Sequence, residues 1–195
     1  MEYKKLKDVS SIIMGQSPAS NSYNEAGIGI AFFQGKADFG RINPIVRIYC
    51  SEPIRLAEPS DILMSVRAPV GDVNIADIEC CIGRGLCAIR SSKLINNKFL
   101  YYYLLTQKKR LNVMATGSTF KSINKSILEN IEIPIFKLDI QNKIVKVLDK
   151  AQELIAKRKE QIEYFDKIVT SQFIEMFGDP INNPMGWEVK KLKNI

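Results

Sequence analysis

Two arginines stand on short turns where their guanidinium groups could bind an anionic ligand. Arg67 is followed by Ala-Pro-Val-Gly, and Arg84 lies between two glycines. A guanidinium presents its N–H donors in a fixed fork, which suits phosphate oxygens and base edges. Lys36 and Arg41 flank another glycine-containing turn. The alternative role for each of these side chains is structural, as when an arginine on a turn caps backbone carbonyls.

The segment GSTFK at residues 117–121 could hold a phosphate group. It offers successive backbone N–H groups, the hydroxyls of Ser118 and Thr119, and the ammonium group of Lys121. Consecutive N–H groups in a turn form a concave site for anions. We therefore expect Ser118, Thr119 and Lys121 to contact phosphates.

Residues for nucleophilic and metal chemistry are scarce. The absence of histidine excludes Ser-His-Asp and Cys-His catalysis and every zinc site that contains histidine. Cys50, Cys80, Cys81 and Cys87 lack C-x-x-C spacing and lie among apolar residues. We expect them to be buried, reduced thiols rather than metal ligands or disulfides.

Motifs for group transfer and hydrolysis are also missing. No Pro-Pro pair or glycine-rich cofactor loop supports methyl transfer, and the Gly-Arg-Gly turn lacks the Gly-Lys-Ser/Thr of a P-loop. Asp179, Glu188 and Lys190 could mimic the Asp…Glu-x-Lys site of a nuclease. Because Glu188 and Lys190 belong to an internal repeat, we reject that interpretation and expect no catalytic residue, no metal and no resident cofactor.

Glycine and proline divide the 195 residues into three parts. Residues 1–134 contain nine of the eleven glycines and six of the eight prolines, whereas residues 135–177 contain neither. We predict a loop-rich domain at 1–134, one long helix at 135–177, and at 178–195 a linker with the first strand of a truncated second repeat. The repeat aligns EYKKLKDV at 2–9 with EVKKLKNI at 188–195, and chance similarity of lysine-rich octamers is the alternative.

The predicted domain mixes strands and helices, so the fold class is α+β with a long coiled-coil-forming helix. Apolar runs predict strands at 28–34, 46–49, 61–66, 73–75, 85–89 and 131–135. An amphipathic pattern predicts a helix at 97–113, and a short helix follows at 125–129.

Apolar residues in the long helix alternate in steps of four and three, interrupted only by Arg158 and Gln172, which is the pattern of a coiled-coil seam. We call these positions the seam: Leu148, Ala151, Ile155, Ile162, Phe165, Val169 and Met176. Further apolar residues, including Val147 and Leu154, widen the stripe and indicate a second neighbour. The alternative is an ordinary core helix of a small bundle.

Positive charge is concentrated outside the helix. Lysine and arginine outnumber acidic residues by 28 to 21, and residues 1–137 hold 18 basic and 12 acidic residues. Residues 138–177 hold seven of each. We infer that the domain contacts a polyanion and that the helix contacts protein. Without a signal peptide or an apolar run of about 20 residues, we expect a cytoplasmic protein with no membrane contact.

Short motifs follow one another through residues 2–177. They are YKKLKDV at 3–9, GQSP at 15–18, FQG at 33–35, DILMSVRAPVG at 61–71, IGRG at 82–85, FLYYYL at 99–104, TGSTFKSI at 116–123 and IEIP at 131–134, before Leu138, Gln141 and Ile144. In this order they resemble the DNA-specificity subunits of type I restriction-modification systems. Each motif is weak alone, and their order gives the resemblance its specificity.

The resemblance implies a function, partners and further site residues. It implies a non-catalytic subunit whose target-recognition domain contacts one half of a split site in double-stranded DNA, with Gln16 and Ser17 joining the basic residues. Methyltransferase subunits carrying S-adenosylmethionine would dock on the long helix, and a restriction subunit is a further candidate partner. With one domain and one helix, the chain is expected to form an antiparallel homodimer through the seam. The alternative function is a coiled-coil scaffold without specific DNA readout.

Overall fold

The computed structural model describes residues 2–116 and 121–190. It divides into two compact units, Met1–Lys146 and Val147–Ile195. No helix in the described ranges is both long enough and apolar enough to cross a membrane.

The first unit is built from short strands and helices. Its strands are β1 (Glu2–Lys5), β2 (Ser10–Met14), β3 (Tyr23–Asn24), β4 (Ile30–Phe33), β5 (Ile48–Cys50), β6 (Leu56–Ala57), β7 (Ile62–Ser65), β8 (Val73–Ile75), β9 (Cys80–Ile82), β10 (Leu86–Ser91) and β11 (Glu132–Ile135). Its helices are α1 (Leu6–Val9), α2 (Asn97–Thr106), α3 (Lys108–Met114) and α4 (Lys125–Glu129). The long helix α5 (Leu138–Phe177) begins in this unit and continues into the second.

The strands form three sheets. A four-stranded antiparallel sheet has the order β2-β10-β7-β8, and a five-stranded sheet has the order β3-β5-β4-β9-β6, in which only β4 and β9 run parallel. The pair β1-β11 is separate and brings the two ends of the unit's sequence together. The predicted α+β class with a long helix is confirmed.

Strand β10 is buried on both faces, which explains its continuous apolar sequence. Leu86 and Ala88 join a core that also contains Phe33 and Ile82 from the five-stranded sheet. The alternate residues of β10, Cys87 and Ile89, face a second core that is built with the helices α2, α3 and α4. Because side chains alternate along a strand, β10 lies at the centre of the unit.

The four cysteines are free and buried, as the sequence predicts. Burial raises the pKa of the Cys80 and Cys87 thiols to about 12. Since the thiolate is the nucleophile and the metal ligand, these residues act as small apolar side chains at neutral pH.

The long helix begins three residues later than predicted. Ile135, the first residue of the predicted helix, is the last residue of β11 and pairs with Glu2. Gln141 is fully buried and anchors the first turn: its Oε1 accepts the N–H of Asn96 at 2.7 Å, and its Nε2 donates to the carbonyl of Phe136 at 2.8 Å. The buried amide therefore fixes the start of α5 to the domain.

In the second unit, the C-terminal end of α5 is closed by the segment that follows it. Gly178 has a φ of 77°, the left-handed conformation that is common after a helix. Its N–H donates to the carbonyl oxygen of Ile174 at 2.8 Å. The indole N–H of Trp187 donates to the carbonyl of Phe177 at 2.8 Å. A tryptophan ten residues downstream thus supplies one of the donors that a helix end requires.

Candidate functional site

Several loops at strand ends meet on one side of the first unit. We call them the loop cluster: residues 15–18 after β2, 34–38 after β4, 66–69 after β7, 83–85 between β9 and β10, and 121–123. Hydrogen bonds between backbones join these segments, so residues distant in sequence become neighbours.

The turn 83–85 is the centre of the loop cluster. The N–H of Gly83 donates to the carbonyl of Phe33 at 2.8 Å, and the carbonyl of Gly85 accepts the N–H of Val66 at 2.9 Å. A Cβ at Gly85 would overlap the carbonyl oxygen of Gln34. Gly85 is therefore required for the close approach of the backbones, and the two glycines present the intervening Arg84 to solvent.

The other predicted loops are connected to this turn. The Ser17 hydroxyl accepts the backbone N–H of Arg84 at 3.2 Å, so Ser17 supports that arginine, while the Gln16 side chain is exposed. The Lys121 carbonyl accepts the N–H of Ala68 at 3.0 Å, which places Lys121 beside the Arg67 turn. Ser118 and Thr119 lie outside the described residues.

Three of the predicted cations surround one cleft of about 250 Å³. It is lined by Gln34, Gly35, Lys36, Arg67, Ala68, Arg84 and Gly85. The side chains of Lys36, Arg67 and Arg84 are exposed, and none of them forms an ion pair within residues 2–116 and 121–190. Their positive charges are therefore available to an anionic ligand.

Several basic residues elsewhere in the unit are paired with carboxylates. Arg90 binds both carboxylate oxygens of the buried Asp61, at 2.9 and 2.8 Å, and Lys108 binds Asp72 at 2.7 Å. These contacts stabilise the fold and leave little free charge. Lys36, Arg67 and Arg84 differ from Arg90 and Lys108 in having no acidic partner within the described ranges.

A second groove of about 700 Å³ continues from the cleft and contains residues that the sequence analysis missed. Asp38 shapes its floor, since its Oδ2 accepts the N–H groups of Gln34 and Gly35 at 2.7 and 3.1 Å. Arg47 holds Asp38 in place through an ion pair and donates to the Ala37 carbonyl at 2.8 Å. Gln34 belongs to the FQG motif at 33–35, whereas no local sequence pattern identifies Arg47.

Arg41 is separated from the other predicted cations. It lies in the turn closed by Gly40 and Asn43, and its neighbour Ile42 accepts the N–H of Ile75 on β8 at 2.8 Å. Arg41 does not line the cleft. A contact of Arg41 with the same anion stays a prediction.

No group of three or more Cys, Asp or Glu side chains could hold a metal ion in the part of the chain that the structure describes. The absence of a resident metal or cofactor stays a prediction from the sequence.

The seam residues of α5 are mostly exposed within the second unit. Ile155 is 51% exposed, Ile162 60%, Phe165 62%, Val169 69% and Met176 64%. Ala151 is exposed as well, and Leu148 is half-buried. Apolar side chains at this density are expected to be covered by another protein surface.

Comparisons with known proteins agree on one family. A family model described as "Type I restriction modification DNA specificity domain" matches residues 1–164. The chain is 49% identical over 156 residues, 78% of its length, to a protein of Methanocaldococcus jannaschii that bears the name of a type I restriction enzyme specificity subunit, MjaX. It is 29% identical, over its whole length, to the type I restriction enzyme MjaIX specificity subunit of the same organism.

A solved structure shows the same fold. The crystal structure of the HsdS subunit from Thermoanaerobacter tengcongensis matches 82% of the chain with a TM-score of 0.75 and 45% sequence identity. The chain spans 37% and 51% of the length of the two curated relatives and 39% of the crystallised subunit.

Proposed function

The chain belongs to the family of type I restriction-modification DNA specificity domains, and from this membership we propose that it recognises a specific sequence in double-stranded DNA without catalysing a reaction. The observation that supports this function is the cleft where Lys36, Arg67 and Arg84 meet with no acidic partner among the residues that the structure describes. A cytoplasmic location, expected from the sequence, is compatible with this role.

The loop cluster can divide DNA recognition into two tasks. Lysines and hydroxyls bind phosphates and fix the position of the duplex, whereas guanidinium forks on short turns can reach base edges. We assign phosphate contacts to Lys36, Lys121, Ser118 and Thr119, and base contacts to Arg67 and Arg84. The exposed Gln16 is placed to add a further polar contact, and Ser17 positions Arg84.

Removing the guanidinium groups of Arg67 and Arg84 should abolish the preference for a specific DNA sequence. In Arg67→Ala with Arg84→Ala, we expect the affinity for the preferred duplex to fall about 100-fold, toward the affinity for random DNA, because each base contact contributes roughly tenfold discrimination. Fluorescence anisotropy with preferred and scrambled duplexes measures both affinities across a salt series.

Lys93→Ala is the matched control, because Lys93 is an exposed cation beyond the far end of β10. It should reduce binding to the two duplexes equally and only slightly. If the unmodified chain shows no salt-dependent affinity for any duplex, DNA recognition is the wrong function.

The alternative of a scaffold without DNA readout requires the positive charge to serve only solubility. A uniform distribution of free cations would support that role. Three cations without an acidic partner in the described residues instead meet at one cleft, so we favour DNA recognition.

We also propose that methyltransferase subunits carrying S-adenosylmethionine dock on α5, with a restriction subunit as a further candidate in the assembly. Val147 and Leu154 lie outside the seam and are 69% and 56% exposed. The apolar stripe is therefore wider than one partner helix covers.

Charged substitutions outside the seam test this docking. Val147→Asp with Leu154→Asp should reduce co-purification of the methyltransferase subunit at least tenfold, because each aspartate would be desolvated in the interface. Affinity for DNA should stay unchanged. Equal recovery of the subunit by the altered and unaltered chains would show that α5 is not its docking site.

Finally, we propose that two copies of the chain pair through the seam with antiparallel α5 helices. The exposed seam residues support this pairing, and α5 is the one long helix within the described residues. Two-fold symmetry would place one domain at each end of the paired helices.

A further inference from the structure

Gln34 occupies the middle of the candidate DNA-binding surface. It lines both the cleft and the adjoining groove, so Lys36, Arg67 and Arg84 lie around it. Its side chain is exposed to solvent.

The stem of Gln34 is held in place by its surroundings. Its backbone N–H donates to Asp38 Oδ2 at 2.7 Å, which fixes the start of the loop. A Cβ at Gly83 would lie 3.1 Å from the Cα and 3.2 Å from the Cγ of Gln34. The side chain of Gln34 therefore packs against the backbone of the turn at Gly83, where no side chain intervenes. A side chain packed in this way loses little conformational freedom when its terminal group binds a ligand.

The amide of Gln34 has no hydrogen-bond partner in the described ranges 2–116 and 121–190. Several other amides of the domain are engaged: Asn24 binds both backbone groups of Ile28, Asn43 donates to Ile75, and Asn112 donates to Val70. Those amides stabilise turns and helix contacts. The amide of Gln34 instead presents one acceptor and two donor hydrogens to the space in front of the cleft.

We propose that Gln34 recognises an adenine in the major groove of the bound duplex. A primary amide pairs with adenine through two hydrogen bonds, donating to N7 and accepting from the N6 amino group. A neutral amide adds little to phosphate binding, which the surrounding cations already provide. This inference rests on the proposed DNA recognition and assigns one base contact within it.

An atomic substitution in the DNA tests the contact. The preferred sequence is first selected from a randomised duplex pool with the full-length chain, and each adenine is then replaced in turn by 7-deazaadenine, which lacks the N7 acceptor. For the unmodified protein, we expect affinity to fall about tenfold at one adenine of each half-site. Gln34→Ala should bind the natural site about tenfold more weakly and lose nothing further at that adenine.

Two variants separate base recognition from a structural effect. Gln34→Glu has only acceptor oxygens, so selection with it should replace that adenine by cytosine, whose N4 amino group is a donor. Gln107→Ala removes a half-buried amide that donates to the Thr106 hydroxyl at 3.0 Å, and it should leave the selected sequence unchanged.

The outcomes distinguish this inference from the function on which it rests. If Gln34→Ala keeps the same base preferences and the same losses with 7-deazaadenine, Gln34 does not contact an adenine, although sequence-specific binding stands. If the unmodified chain selects no sequence from the pool, both the adenine contact and the proposed DNA recognition are wrong.

Discussion

Replacing Ile155 and Ile162 with aspartate is expected to convert homodimers of the chain into monomers. Both residues belong to the seam and are more than half exposed in the isolated second unit. In a paired helix each would lie against apolar side chains of the partner, so each aspartate would place an unpaired charge there. With four such charges in a two-fold dimer, we expect association to fall by at least 1,000-fold.

Light scattering with size exclusion measures the result directly. The unmodified chain should elute with twice the monomer mass of 22.1 kDa, and the double variant with that mass itself. Ser171→Asp is the matched control, because it adds a negative charge at an exposed α5 position outside the seam. A monomer mass for the unmodified chain at micromolar concentration would rule out the homodimer.

The dimer also predicts the form of the DNA site. Two identical domains related by a two-fold axis contact identical half-sites in inverted order, with unread base pairs between them. The selected site should therefore be an interrupted palindrome. In the monomeric Ile155→Asp, Ile162→Asp variant, only one half-site should retain weak, salt-sensitive binding.

Gly85→Ala is expected to destabilise the domain and disorganise its DNA-binding surface. The added methyl group would overlap the carbonyl oxygen of Gln34, which is backbone and cannot rotate away. The overlap must separate β4 from the turn and lengthen the hydrogen bond from Val66 to Gly85. Such overpacking costs about 3 kcal/mol of unfolding free energy, and we expect affinity for the preferred duplex to fall to that for random DNA.

Gly35→Ala gives a control within the same cluster. Gly35 has an extended backbone, and a Cβ there would meet no atom within 4 Å. Its unfolding free energy in urea should stay within about 0.5 kcal/mol of the original value. If Gly85→Ala unfolds at the same urea concentration as Gly35→Ala, the close approach of the turn does not constrain the fold.

Local sequence patterns correctly predicted those helices and strands whose structure depends mainly on their own residues. The helix Lys125–Glu129 and the strand Val73–Ile75 have the bounds that the sequence indicates. The predicted helix at 97–113 is two helices, since the chain breaks at Gln107. Strand β9 went unrecognised, because its cysteines are not strong strand formers and its pairing with β4 is distant in sequence.

At the candidate site, too, local sequence patterns do not show which residues distant in sequence come together. The exposure of Arg67 and Arg84 could be predicted, because Arg84 lies between two glycines and Arg67 is followed by Ala-Pro-Val-Gly. The sequence could not show that they share a cleft with Lys36, since strand pairing and the glycine turn bring them together. It also grouped Arg41 with Lys36, although the turn of Arg41 is bonded to β8 through Ile42.

The contact of Trp187 with Phe177 gives the chain an intrinsic optical reporter. Trp187 is the single tryptophan in the sequence, so its emission comes from one place, the end of α5. Its indole is 59% exposed, and emission should shift to longer wavelength when the helix end frays and water reaches the rest of the ring. Tryptophan fluorescence during urea titration therefore follows opening of this end, whereas tyrosine emission, with six of the seven tyrosines in the first unit, follows mainly the domain. The two signals resolve the stabilities of the two units in a single unlabelled sample.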